Sequence, residues 1–254
     1  MPIYEFAQTG IVALRETAFG SANFQERRDL QRLLREKVEV IAPDTLVIAE
    51  EFGDWEESRR RIDLLAIDRD AKLVVIELKR TEDGGHMDLQ AIRYAAMVST
   101  MTFDRAAEVF AAYLAASGRQ DVDARATMLE FLGWEEPDED DSFGQDVRIV
   151  LASAEFSKEL TTSVLWLIDH TIDIRCVRLK PYALDGRVLV DVQQIIPLPE
   201  AQAYQVSIRD KTRKVRGARS GGPDWTRFDV QIDGEKYPSI TSVRFVEPSF
   251  LVSV

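Results

Sequence analysis

Apolar residues recur at helical spacing through SANFQERRDLQRLLREKVEVI (residues 21–41), where Phe24, Leu30, Leu33, Leu34, Val38 and Ile41 mark one stripe. Ser21 or Asn23 is placed to cap that helix, and Pro43 ends it. The pattern then tightens into short apolar runs: TLVIAEEF, followed by two strands at 61–68 and 73–79 joined by the polar DRDAK. TEDGGH reads as a glycine-containing loop. MDLQAIRYAAMVSTM and FDRAAEVFAAYLAAS read as helices, and the acidic stretch 135–146 reads as a mobile loop. A second alternation follows, with DVRIVLAS a strand, AEFSKELTTSVLWLIDH a helix, and IDIRCVRLKPY and GRVLVDVQQIIPLP strands.

This order predicts an α/β fold, a mixed central sheet flanked by helices. The character changes near residue 200. The expected organisation is a main domain over 1–199, a polar basic linker over 200–223 and a short C-terminal element over 224–254. In the last, WTRFDVQIDGEKYPSI suggests a two-stranded piece, and some 30 residues are too few to stand alone.

Two acids break the strand pattern. RRRIDLLAID carries Asp63 and LVVIELK carries Glu77 and Lys79, all inside runs that read as interior strands. Centring the connecting loop on Asp70 sets Asp63 opposite Glu77 and Arg61 opposite Lys79. Directly opposed Cβ atoms lie about 4.5–5.5 Å apart. Glu77 and Lys79, two apart, share a face at about 6.6 Å, while Leu78 points the other way. A slip of one residue destroys the arrangement. Facing carboxylates repel and resist burial unless something compensates. A divalent cation does so: magnesium takes one or two carboxylates, keeps several waters and leaves room for phosphate oxygens. A lysine beside it orients or deprotonates water, or stabilises charge on phosphate. The chemistry implied is metal-assisted phosphodiester hydrolysis.

Asp63 followed by Glu77-Leu78-Lys79 resembles the PD-(D/E)xK nuclease superfamily and its restriction-endonuclease-like fold, with Ile62 standing where the name has proline. In LQAIRYAAMV, Gln90 and Tyr94 are four apart on one helix face, similar to the QxxxY motif of RecB-like members. The resemblance spans roughly residues 20–180 but is motif-level only from Asp63 to Tyr94. It implies a nuclease with DNA as the expected substrate. Asp63 and Glu77 would hold magnesium or manganese, with the Leu78 carbonyl and a first-helix glutamate as further ligands. Glu26 is first choice; Glu36 and Glu39 are rivals, as are Glu50 and Glu51 at the end of the TLVIAEEF strand, with Glu51 ranked second. Lys79 would position water, Gln90 would orient the site, and Tyr94 and Arg61 would contact substrate. A catalytically inactive nucleic-acid or protein docking module and an RNA-directed nuclease are the alternatives. A homodimer stays open, since two sites would help cut both strands.

Composition changes this little. The chain has 254 residues, 45% hydrophobic and 30% charged, ordinary for a globular protein. A net charge of −12 argues against nonspecific nucleic-acid binding by bulk electrostatics, yet basic residues cluster at 25–37, 59–61 and 209–219. Cys176 is alone, which rules out an intrachain disulfide framework and a cysteine-built zinc site. No apolar run approaches the roughly 20 residues that span a bilayer, and the N-terminus lacks the order of a secretory signal, so a cytoplasmic location is expected. His86 reads as a loop or helix-start residue and His170 as a helix-end residue. Trp166 reads as core and Trp225 as a docking or stacking residue.

Overall fold

The computed structural model describes residues 2–22, 26–53, 61–79, 87–137, 143–198 and the strand residues 230–232 and 235–237. Arg59, Arg60, His86, Trp225, Asn23 and the stretch 200–223 lie outside the described residues. The chain divides into two compact units, Met1–Glu200 and Ala201–Val254. Among the described residues no helix is long and apolar enough to cross a membrane.

The first unit is an α/β fold built on a mixed seven-stranded sheet flanked by helices. Its strands are β3 (Arg15–Glu16), β4 (Thr45–Phe52), β5 (Ile62–Asp68), β6 (Leu73–Lys79), β7 (Val147–Ser153), β8 (Asp173–Leu184) and β9 (Arg187–Ile196). β5 runs antiparallel to both of its neighbours, β4 and β6. β6, β7 and β8 run parallel, and β9 returns antiparallel along β8. Every residue of β5 is buried, as is every residue of β6 before Lys79, which is why these strands read as nearly continuous apolar runs.

One face of the sheet is covered by α2 (Met87–Val98), α3 (Phe103–Ala116) and α5 (Lys158–Asp169), through cores that include Leu65, Val75, Tyr94 and Phe110 and then Ile149, Leu151, Val164 and Cys176. The other face, with Leu64, Ile76 and Leu78, packs on Leu30 and Leu34 of the first helical segment. That segment is not the single long helix that its periodicity predicts. It is a π-helical stretch at Glu26–Gln31, α1 at Arg32–Glu36, and a separate 3-10 turn at Val38–Val40. Lys37 leaves helical geometry (φ −138°, ψ 55°), and the β-branched Val38 and Val40 that follow disfavour continuing the helix.

Three further elements carry no strong sequence signal. The hairpin β1 (Tyr4–Ala7) and β2 (Gly10–Ala13) is exposed along its whole length. Helix α4 (Ala124–Leu132) is capped by Asp123, which accepts from Ala126 N, and by Gly133 in the left-handed region. The acidic 135–146 stretch is anchored at its described end, where Phe143 is buried edge-on to Phe103 and Gly144 N donates to Ala71 O. Trp166 is not core. It is 59% exposed and stacks on His170, because Leu160, Val164 and Ile168 form the inward stripe of α5. In the second unit, β10 (Val230–Ile232) pairs antiparallel with β11 (Glu235–Tyr237).

The starting ends of the parallel strands are locked by a closed ion network. Arg148 of β7 binds Asp68 at 2.6 Å and Asp173 at 3.0 Å, and Lys72 lies 3.8 Å from Asp173. Asp68 also accepts the Asp70 and Lys72 amides, which ties the β5–β6 turn to β7 and β8. Removing one partner of a buried network strands the other charges. Arg148→Ala is therefore expected to lower the unfolding free energy by about 2–4 kcal/mol in urea titrations. A second tie joins β3 to β8: the hydrogen bond from Lys180 to Glu16 holds the lysine above its ordinary 10.5, against the opposing effect of burial. A raised folded value means that this tie is fully present below pH 10.5 and is lost as pH rises through the higher folded value. Stability measured across that alkaline window should fall, and Glu16→Gln should flatten the fall.

Candidate metal and nuclease site

Alternation places the acids and pairing aligns them. β5 and β6 pair as Leu64 with Ile76, Leu65 with Val75, Ala66 with Val74 and Ile67 with Leu73, the register that a loop centred on Asp70 demands. The next pair in line is Asp63 with Glu77, and there the ladder opens. Leu78 N–H, which regular pairing would send to the Ile62 carbonyl, instead donates to Asp63 Oδ2 at 2.8 Å. One carboxylate thus replaces a backbone acceptor, and the strands part at Glu77.

Glu77 is wholly buried and Asp63 is 8% exposed. Lys79, two residues on and on the same face, brings its ammonium to 3.9 Å from Glu77 Oε2 while remaining partly open to solvent. The side chain of Leu78 points into the opposite core, with Leu64 and Ile76. Its N–H faces β5, and in an extended strand the C=O of the same residue faces the same neighbour. The Leu78 carbonyl therefore borders the gap beside Asp63.

Gln90 and Tyr94 lie on one face of α2, and Gln90 Nε2 donates to the Tyr94 hydroxyl at 3.1 Å. Tyr94 is 1% exposed and packed in the core, so it offers a substrate no surface; what it does is fix Gln90. Arg61 precedes β5, is exposed, and donates to the Glu51 carbonyl on the β4 side rather than facing Lys79. It lines a cavity of about 690 Å³ together with Arg35, Glu51, Arg105 and Tyr113.

The candidate further ligands part company. Glu26 opens the π-helical stretch, but its side chain lies outside the described residues. Glu36 and Glu39 are exposed and paired with neighbouring cations. Glu50 opposes Leu64, so it faces the α1 side, where Arg35 binds it at 2.5 Å. Burial disfavours the Arg35 charge, but the hydrogen bond and the charge of Glu50 outweigh it and hold the guanidinium above its ordinary value. Glu51 falls between the pairs Glu50–Leu64 and Phe52–Ile62, opposite Asp63, with a left-handed φ of 50°. Among these rivals Glu51 is the one level with Asp63 on the adjoining strand.

Gln31 is a participant that the sequence pattern does not single out. Buried at 2% exposure, its Nε2 lies 3.2 Å from both Glu50 Oε1 and the Asp63 carbonyl, so it braces the backbone of Asp63 from the far side of the sheet. In sequence it is one more polar residue on a helix.

The oxygen-only set of Asp63, Glu77 and the Leu78 carbonyl fits a hard divalent cation that retains water. Among the described residues no group of three or more His, Cys, Asp or Glu side chains is placed to hold a metal, so such an ion would rest on two carboxylates, backbone and water.

The two acids have opposite effects on stability. Asp63→Ala leaves the buried Leu78 N–H without its acceptor and should destabilise the protein by about 1–3 kcal/mol. Glu77→Gln removes a buried charge at nearly constant shape and should stabilise the metal-free protein by on the order of 1 kcal/mol. Denaturant titrations in chelator check both signs. No family model, curated protein or solved structure matches this chain.

Proposed function

We propose that the chain is a metal-dependent nuclease of the PD-(D/E)xK type with a restriction-endonuclease-like core, acting on DNA. The observation that carries this reading is the Glu77–Lys79 ion pair, set at a gap in the sheet that the Asp63 carboxylate holds open. Three antiparallel strands, with the acids on the second and third, then a strand–helix–strand unit, agree with the resemblance in element order.

Asp63, Glu77 and the Leu78 carbonyl would hold magnesium or manganese, which would supply charge neutralisation on the phosphate and a more acidic water. The protein's own share begins with Asp63, whose bond to Leu78 N–H fixes its carboxylate before substrate arrives. Lys79 directs its ammonium N–H groups at the attacking water and at the charge that grows on the pentavalent phosphate. The bond from Gln90 to Tyr94 holds the amide on the α2 face, where it orients the site, and Tyr94 acts as a positioning residue. Arg61, exposed at the entry to β5, is placed for a backbone phosphate.

Full enclosure of Glu77 favours a second reading, a docking module that keeps the fold without the chemistry. Cleavage separates the two. Purified protein with magnesium is expected to cut DNA, and Glu77→Ala or Lys79→Ala should lower the rate by at least about 100-fold with circular dichroism unchanged. Undiminished activity in Glu77→Ala rejects the assignment. Matched DNA and RNA strands in the same assay fix the substrate.

A further inference from the structure

The register of the parallel strands extends the site across the sheet. Lys79 lies beside Ser153 of β7, Ser153 beside Arg178 of β8, and Arg178 beside Gln193 of β9. Residues paired in this way point to one face of a sheet. The row below confirms the face: Glu77 aligns with Leu151 and Cys176, and both of these pack under α2 and α5. Lys79, Ser153 and Arg178 therefore form one polar row, level with the last residues of β6 and β7 and midway along the longer β8. The finishing ends of parallel strands are where open α/β sheets bind ligands.

Arg178 is held unlike the structural arginine at the other end of the same sheet. Arg148 is closed on two carboxylates, at 2.6 and 3.0 Å. Arg178 donates Nη2 to a neutral amide, Gln193 Oε1, at 2.9 Å. The carboxylate of Glu155 lies 3.9 Å away, beyond hydrogen-bond length, and also answers Lys180 at 3.7 Å. The Arg178 Nε is buried with no hydrogen-bond acceptor among the described residues. A guanidinium has five donors in a rigid fork suited to carboxylate or phosphate. Here the amide fixes the plane of the fork, the side chain is about four-fifths buried, and most of its donors have no acceptor at hydrogen-bond distance among the described residues. Holding a largely buried cation by one neutral bond is costly unless an anion joins it.

We propose that Arg178, aimed by Gln193 and flanked by Ser153 and Lys180, binds a backbone phosphate next to the scissile one. Two strand spacings, about 10 Å, separate it from Lys79, which assigns it to a neighbouring phosphate of the same strand. The proposal rests on the nuclease reading, and it adds the direction in which the nucleic-acid strand runs: from Lys79 toward β9.

The test uses the full chain in a Lys79→Ala background, which binds without cutting, and a fluorescein-labelled single-stranded DNA oligonucleotide followed by anisotropy over a series of sodium chloride concentrations. Adding Arg178→Gln should weaken binding about tenfold and reduce the salt slope by about 0.7, with the thermal midpoint held. Arg178→Lys should restore the slope but not the full affinity, since it returns the charge without the fork. In the otherwise unaltered enzyme, Arg178→Gln should raise KM more than it lowers kcat. Unchanged affinity and slope in Arg178→Gln, with the parent protein binding DNA normally, overturn the phosphate site and leave the nuclease reading standing. Absence of DNA binding in the Lys79→Ala parent overturns both.

Discussion

The bond between the Asp63 carboxylate and the Leu78 amide shapes everything around it. A β-ladder has no room for a ligand between its strands, because backbone donors and acceptors consume one another. By taking the amide that Ile62 would otherwise receive, Asp63 ends the β5–β6 ladder at Leu64–Ile76 without leaving a buried N–H unsatisfied. Glu77 and the Leu78 carbonyl adjoin the point where the ladder stops, both still buried. The neighbouring backbone is held on both sides. β6 stays in register with β7 through Lys79 and Ser153, and Gln31 secures the Asp63 carbonyl from behind. A site built on paired strands in this manner keeps its geometry without help from loops.

The two ends of the parallel strands divide their labour electrostatically. At the starting end Asp68, Arg148 and Asp173 neutralise one another at short range and fix the register of three strands. Level with the finishing ends of β6 and β7 the ion pairs are longer: Lys79 at 3.9 Å from Glu77, and Arg178, midway along β8, at 3.9 Å from Glu155. One end of the sheet is consumed in stability. The other is where the proposed binding site lies.

What was readable in advance follows from the range of the physics. The face shared by Glu77 and Lys79 depends only on the two-residue period of a strand, and the short loop centred on Asp70 fixes the pairing register. The link from Gln90 to Tyr94 depends only on the helical turn. The opening of the ladder at Asp63 was not readable, because no period says that a side chain will displace a backbone acceptor. The row from Lys79 to Arg178 requires the register of parallel strands separated by about 70 residues and then 25, which no local turn specifies. Trp166 departs from the expected inward position because the stripe set by Leu160, Val164 and Ile168 turns it to solvent. Gln31 was silent for the converse reason: its burial depends on how α1 docks over the sheet.

Calorimetric titration of manganese into the metal-free protein tests the central claim most directly, since it asks only whether the oxygens around the gap converge on a cation. The account predicts a saturable site in the unaltered protein that is lost in Glu77→Ala and strongly weakened in Asp63→Asn, with both variants folded. Equal manganese binding by Glu77→Ala, or no binding by the unaltered protein, would contradict it.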